Sequence, residues 1–240
     1  MNYSVTENLA AVNQQISEFC TRHQRAPGSV RLLAVSKTKP LSAVLAAAAA
    51  GQTDFGENYL QDALPKITAT RDQPGICWHY IGAIQSNKTR PIAEHFSWVH
   101  TVASSKIARR LNDQRPAELP PLNVLIQVNI DRDPAKAGVM PEDLPGLIEE
   151  TLPMAKIRLR GLMTLPSERQ KPEEQRVPFA TLRNLLLENQ QHFSLADFDQ
   201  LSMGMSGDME AAIAEGSTWV RIGTAIFGAR ETRPAGSPEQ

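Results

Sequence analysis

LLAVSKTKPLSAVLAAAAAG, running from Leu32 to Gly51, is the stretch on which the fold turns. Its first five residues are apolar or small, do not alternate, and are too few for a helix. Such a run reads as a strand buried on both faces, the kind found in parallel sheets. Pro40 has its φ preset for a first helical turn, and the alanines behind it are the strongest helix formers. Gly51 ends the helix, because glycine accepts the left-handed conformation of a helix stop. A buried strand, a short polar loop and a helix together make one unit of an α/β protein.

The unit recurs along the chain. Upstream, Ser4 and Glu7 form a capping-box pattern before an amphipathic helix with Leu9, Val12, Ile16 and Phe19 at helical spacing, which Pro27-Gly28 stops. Downstream, strands are expected at Thr53–Gly56, Trp78–Gly82, Trp98–Val102, Asn123–Ile130, Ile157–Met163, around Leu201 and at Trp219–Ile222. Helices are expected between them at Tyr59–Ala69, Lys88–His95, Ser105–Asn112, Pro141–Leu152, Glu173–Gln191 and Gly207–Glu215. Eight such units in 240 residues fit a single (β/α)8 barrel of TIM type with an extra N-terminal helix, for which about 250 residues is typical. A doubly wound open sheet competes, because alternation alone does not separate the two. No low-complexity linker divides the chain. Residues 1–230 are expected to form one domain and residues 231–240 a flexible tail.

Composition narrows the function classes. Apolar residues make up 41% of the chain, enough for a substantial core, and charged residues 21%. Twenty-five basic against 26 acidic side chains leave a net charge of -1, so no overall field draws the chain to nucleic acid or a membrane surface. The 2 cysteines, Cys20 and Cys77, make no disulfide framework, and no Cys/His cluster has zinc-ligand spacing. No signal peptide opens the sequence, and no apolar run spans a bilayer. A cytoplasmic protein without nucleic-acid or membrane partners is expected.

In either α/β architecture, sites form at the C-terminal ends of the strands. Lys37 follows the first strand, where partial desolvation lowers an amine's pKa and makes Schiff-base chemistry with an aldehyde feasible. A solvated strand-end lysine, with Lys39 as its equivalent, is the plainer reading. The loop Ser202–Gly207 offers small residues, hydroxyls and backbone N–H groups to a phosphate, together with Gly223-Thr224 after the eighth strand. Asp208 and Glu210 argue against it unless they point away; Ser206 is otherwise an ordinary helix cap. Arg221 alternates with Val220 and Ile222, which sends its guanidinium into the barrel if they face the helices. It then needs an internal carboxylate or a ligand as partner. His79 and His100 are each either a base or a hydrogen-bonded core histidine.

Six separated motifs carry a resemblance: LLAVSKTKP at Leu32–Pro40, FGENYLQ at Phe55–Gln61, WHYIGAIQSNK at Trp78–Lys88, LRGLMTLP at Leu159–Pro166, LSMGMSGDMEAAI at Leu201–Ile213 and VRIGTAIFG at Val220–Gly228. The sequence closely resembles the bacterial pyridoxal phosphate homeostasis proteins, the YggS/PROSC family. The resemblance implies the barrel of the alanine racemase N-terminal domain, the third fold type of pyridoxal phosphate enzymes. It implies that Lys37 holds pyridoxal 5'-phosphate as a Schiff base and that Ser202, Gly204, Met205, Ser206, Gly223 and Thr224 hold the phosphate. Arg221 would face the pyridine nitrogen, and Asn58 and His79 would line the site. Ala83, Gly207 and Tyr80 depart from the family pattern without removing a proposed ligand.

An arginine at the pyridine nitrogen keeps the ring unprotonated and a weak electron sink. The chain is also expected to lack the racemase's second domain and, with it, much of a dimer interface. The leading expectation is a monomeric, non-catalytic carrier of pyridoxal phosphate in vitamin B6 homeostasis, with pyridoxal-phosphate-dependent apo-enzymes as acceptors. An amino-acid racemase is the first alternative and a Schiff-base aldolase on sugar phosphates the second. Lys39, Lys88 and Lys136 are further candidates for cofactor adducts.

Overall fold

In the computed structural model, residues 4–229 are described, and the expected tail at 231–240 lies outside them. Eight parallel strands close into a barrel in sequence order: β1 (Arg31–Val35), β2 (Asp54–Glu57), β3 (Cys77–Tyr80), β4 (Trp98–Val102), β5 (Leu122–Gln127), β6 (Ile157–Met163), β7 (Gln200–Ser202) and β8 (Trp219–Ile222). Closure is made by β1 against β8, with Leu33 opposite Arg221 and Ala34 opposite Ile222. This excludes the open sheet.

Helix α1 (Val5–Arg22) precedes the barrel, and α2 (Leu41–Ala49), α3 (Leu60–Ala69), α4 (Thr89–His95), α5 (Ser105–Gln114), α6 (Leu144–Thr151), α7 (Pro172–His192), α8 (Met209–Ala214) and α9 (Thr224–Phe227) follow the successive strands. The Ser4–Glu7 capping box opens α1, which packs on α2, α8 and α9. Its buried stripe is Leu9, Val12, Ile16 and Cys20, so Cys20 takes the place expected of Phe19.

Strand alternation divides the core into two layers. Leu32, Ala34, Phe55, Val99, Val124, Val220 and Ile222 face the helices. Leu33, Trp98, Leu125, Met163 and Trp219 fill the barrel interior. The interior also carries buried polar groups, His79, His100, Ser202 and Arg221, which shape everything that follows.

Most element ends fall within one to three residues of expectation, β3 ending at Tyr80 rather than Gly82 and α6 starting at Leu144 rather than Pro141, and two of the differences have a visible cause. β5 stops at Gln127 rather than Ile130 because Val128 bridges Val139 and the Asn129 side chain accepts from Asp133 N at 3.2 Å while donating to Asp133 O at 2.7 Å. The apolar pattern continues past the point where the backbone leaves the sheet. α8 starts at Met209 because Asp208 first folds back: its Oδ1 accepts from Met205 N at 2.6 Å. α9 is a single turn that the sequence pattern does not announce.

Candidate functional site

A cavity of about 710 Å³ opens at the C-terminal ends of the strands. Val35 and Lys37 reach it from the end of β1, Asn58 from β2 and Ile81 from β3. Met163 and the segment after β6, including Leu165, Pro166, Glu168 and Arg169, form one wall. Met205, Ser206, Gly207 and Asp208 after β7, with Arg221, Gly223 and Thr224 from β8 and α9, line the rest of it.

Lys37 sits in a β-turn closed by Lys39 N donating to Ser36 O at 3.1 Å, with Thr38 at φ 63°. A left-handed threonine is strained, and strain of this kind collects at sites whose surroundings hold it in place. Here the holding group lies beneath. Ser36 Oγ donates to Glu57 Oε1 at 2.6 Å, and Lys66 Nζ donates both to Glu57 Oε1 at 2.8 Å and to Ser36 O at 2.9 Å. Glu57 is fully buried; burial pushes its carboxyl above the usual range, opposed by Lys66 and Ser36. Lys39 is not equivalent to Lys37, since its ammonium donates to Gly228 O at 3.0 Å and Ala229 O at 2.8 Å. Lys88 is exposed away from the cavity, and Lys136 donates to Asp131 at 2.9 Å and to Ser167 Oγ at 2.8 Å.

Arg221 points inward as the alternation requires. Its Nη1 donates to Ser202 Oγ at 2.8 Å and its Nη2 to Thr164 O at 2.9 Å. Burial pushes the guanidinium down to about 10, partly offset by Asp208, so it remains charged at neutral pH. The two acids that argued against the loop divide. Glu210 turns outward onto Arg22 at 2.6 Å, whereas Asp208 stays on the cavity wall. Burial raises the Asp208 carboxyl, against the Met205 N–H and Arg221.

Seven of the expected site residues thus share one cavity: Lys37, Asn58, Met205, Ser206, Arg221, Gly223 and Thr224. Three do not line it. His79 lies at mid-strand in β3, and it is Ile81, two residues on, that reaches the wall. Ser202 is fully buried underneath, between Arg221 and His100. Gly204, at φ 97°, packs against α8, where a Cβ would stand 2.5 Å from the Ala212 Cβ. Its carbonyl accepts from Arg221 N at 3.0 Å and so carries the β7–β8 pairing up to the rim.

Sequence reasoning did not find the wall after β6. Asp131 accepts from Arg169 Nη2 at 2.8 Å and from Lys136 Nζ at 2.9 Å, tying the loop after β5 to that after β6. These hydrogen bonds hold its carboxyl well below the usual range despite burial. The partners are 38 and 5 residues away in sequence, and no local pattern joins them.

The residues at the cavity fit an anionic, hydrogen-bonding group. Three cations, Lys37, Arg169 and Arg221, face it against two acids, Glu168 and Asp208. Asn58 Oδ1 is buried with no hydrogen-bond partner among the described residues, an acceptor that a bound donor would satisfy. At the opposite end of the barrel Asp54, Cys77 and His79 bring ligand atoms within 4.8 Å of one another. Burial pushes the Cys77 thiol up to about 12, with Asp54 adding to the shift, and the Arg31 cation acts on the same groups. That corner is poorly suited to a cation. No helix among the described residues is long and apolar enough to cross a membrane.

The profile of the alanine racemase N-terminal domain matches residues 8–231. The pyridoxal phosphate homeostasis protein of Pseudomonas aeruginosa is 56% identical over 95% of this chain and 96% of its own length. That of Escherichia coli K12 is 49% identical over 95% of this chain and 97% of its own. PipY of Synechococcus elongatus, solved with PLP bound, superposes with TM-score 0.82 at 37% identity, covering 94% of this chain and all of PipY. Alanine racemase of Corynebacterium glutamicum, 16% identical with TM-score 0.66 over 96% of this chain and 63% of its own, shares the fold. The chain belongs to the pyridoxal phosphate homeostasis protein family, built on the barrel of the alanine racemase N-terminal domain.

Proposed function

We propose that this protein binds pyridoxal 5'-phosphate through Lys37 and serves intracellular vitamin B6 homeostasis as a carrier without substrate turnover. The observation that carries the reading is the convergence of Lys37, Arg221 and the segments Met205–Gly207 and Gly223–Thr224 on one cavity. The bound cofactor in PipY and the names of the close relatives support it.

When bound, pyridoxal phosphate supplies an aldehyde that condenses reversibly with a primary amine. The chain's own residues then have separate tasks. The strained turn over Glu57 and Lys66 presents the Lys37 amine. Ser206 and Thr224 offer hydroxyl and backbone donors to the phosphate. Arg221 donates only, so a ring nitrogen set against it accepts a hydrogen bond and gains no proton. Asn58 supplies the remaining acceptor.

The cavity wall offers few groups for proton transfer. Besides Lys37 the titratable groups on its wall are Glu168, Arg169, Asp208 and Arg221, with no Tyr, His or Cys among the described lining residues. Asp208 is engaged by the Met205 N–H. Racemisation needs a proton acceptor and donor on opposite faces of a bound amino acid, and Glu168 is the one group left for the second role. The free thiols Cys20 and Cys77 fit a reducing cytoplasm. A monomer is part of this reading, and pyridoxal-phosphate-dependent apo-enzymes are the acceptors in it.

The test is a titration with pyridoxal phosphate followed by visible absorption. Wild type gains a saturable band and Lys37→Ala does not. Incubation of the loaded protein with single amino acids in deuterated water then separates carrier from racemase. Retention of the α-proton supports the carrier, and exchange that Glu168→Gln abolishes supports the racemase.

A further inference from the structure

A chain of hydrogen bonds runs through the barrel interior from Arg221 at the cavity to Asp54 at the opposite end. Arg221 Nη1 lies 2.8 Å from Ser202 Oγ, which lies 2.9 Å from His100 Nδ1. His100 Nε2 lies 3.0 Å from His79 Nδ1, and His79 Nε2 lies 2.9 Å from Asp54 Oδ1. The members come from β8, β7, β4, β3 and β2, so the barrel's closure assembles what the sequence scatters. Trp98 stacks on His79 at 5.6 Å between ring centroids, and Trp219 meets both imidazoles edge-on at 4.9 and 6.2 Å. Both histidines are fully buried.

The donors can be assigned by elimination. Arg221 has only hydrogens to give, so Ser202 Oγ accepts from it. Asp54 as a carboxylate has only lone pairs, so His79 Nε2 carries a proton. A neutral His79 then has a bare Nδ1 that must accept from His100 Nε2. A neutral His100 in turn has a bare Nδ1, which accepts the Ser202 hydroxyl proton. With both rings neutral, as burial and the nearby Arg221 and Arg31 charges favour for His100, reversing any one link leaves two donors or two lone pairs facing each other in a dry interior, which costs far more than one hydrogen bond yields. Burial pushes both histidines below their ordinary value, His100 furthest, in keeping with neutral rings. For Asp54, burial works against ionisation, but the bonds from His79 and Thr53 and the Arg31 charge outweigh it.

This one-way order answers a problem that Arg221 poses. The guanidinium is buried, yet its hydrogen-bond partners are a hydroxyl and a carbonyl, and its nearest carboxylate influence, Asp208, lies across the cavity wall. A buried cation without a directly bonded carboxylate is costly. We propose that Asp54, acting through His79, His100 and Ser202, is the remote counter-charge of Arg221, and that this polarised chain fixes the orientation and charge of the guanidinium presented to the ring of a bound cofactor. The chain moves no proton; each bond in it aligns and strengthens the next. Asp54, His79, His100 and Ser202 are positioning residues, and the inference rests on the cofactor reading only in naming the ring.

Side-chain ¹⁵N spectra of the ligand-free full-length protein at pH 7 test the chain without any cofactor. The expected result is that His79 and His100 are both neutral, protonated on Nε2. Asp54→Asn keeps an acceptor for His79 but removes the charge. It should shift the resonances of His100 and of the Arg221 guanidinium as well as those of His79. Residues in one hydrogen-bond network typically shift one another's energetics by roughly 2- to 100-fold, so the same variant should weaken pyridoxal phosphate uptake about tenfold, with partial recovery in Asp54→Glu. His100 protonated on Nδ1, or Arg221 resonances unmoved by Asp54→Asn, would overturn the proposal. If Asp54→Asn does not fold, Ser202→Ala takes its place: moved His100 and Arg221 signals support the chain and unmoved ones overturn it. A protein with the expected tautomers that takes up no pyridoxal phosphate would refute the cofactor reading and leave the hydrogen-bond order standing.

Discussion

Lys66→Met is the substitution that most directly probes how the Lys37 turn is held. Lys66 comes from α3 and is 6% exposed, and its ammonium bonds to the fully buried Glu57 and to Ser36 O. Methionine nearly matches its length, so packing changes little and the loss is electrostatic. Removing one partner of a buried ion pair costs about 3–5 kcal/mol, because the other charge is left uncompensated. With a urea m-value of roughly 3 kcal/mol/M for a chain of this size, the unfolding midpoint should fall by about 1–1.7 M. The pH dependence has a definite sign. Glu57 already titrates above its unfolded value, and losing Lys66 removes a group that lowers it. Between the unfolded and folded values the native state then holds more protons than the unfolded one, so stability falls as pH rises through that window. The defect should therefore be largest at neutral pH and shrink on acidification, as Glu57 becomes a neutral acid. Adding Glu57→Gln to Lys66→Met should recover much of the loss at pH 7. Pyridoxal phosphate uptake should slow in the single variant, since Ser36 loses the bond that anchors the turn. A single variant that melts with wild type, or whose defect grows on acidification, would refute this account of the pair.

Gly204→Ala should lower stability by about 1–3 kcal/mol, from the 97° φ and the 2.5 Å approach to Ala212, and should weaken phosphate-bearing ligands by pushing α8 off β7; thermal melts and titrations check both. Asp208→Asn keeps an acceptor for the Met205 N–H while removing a negative charge from the cavity, so affinity for pyridoxal phosphate measured by absorbance should rise about fivefold. Asp131→Asn should release Arg169 and Lys136 and expose residues 164–171 to limited proteolysis. Because the Asp131 carboxyl is held far below its unfolded value, its contribution in wild type is present above pH ~4 and lost only as pH falls towards the folded value, which an acid titration of stability would follow.

How much the sequence discloses depends on the range over which each feature is written. The strand–helix rhythm is local, and so is the alternation at Trp219–Ile222 that turns Arg221 inward. Lys37 is legible because it stands at the end of a buried strand. Depth along a strand is less so: nothing local separates His79, buried at mid-barrel, from Ile81 at the cavity wall. The end of β5 is hidden because Asn129 overrides an apolar pattern with its own side-chain bonds. Asp54 and Asp131 escape notice for another reason. Asp54 meets His79 25 residues on and Asp131 meets Arg169 38 residues on, and an acid at a strand start or in a loop has many ordinary explanations until the fold brings such a partner to it. The resemblance supplied the cofactor and the role of Lys37, and the cavity supplied the common ground on which seven of those residues meet.

The central claim is that Lys37 is the anchor, and borohydride reduction of the protein loaded with stoichiometric pyridoxal phosphate, followed by peptide mass spectrometry, addresses it most directly. The account predicts a reduced pyridoxyl group on the peptide carrying Lys37, with Lys39, Lys88 and Lys136 unmodified or labelled only in excess cofactor. A protein that retains no label, or carries it on another lysine while Lys37 stays free, would contradict it.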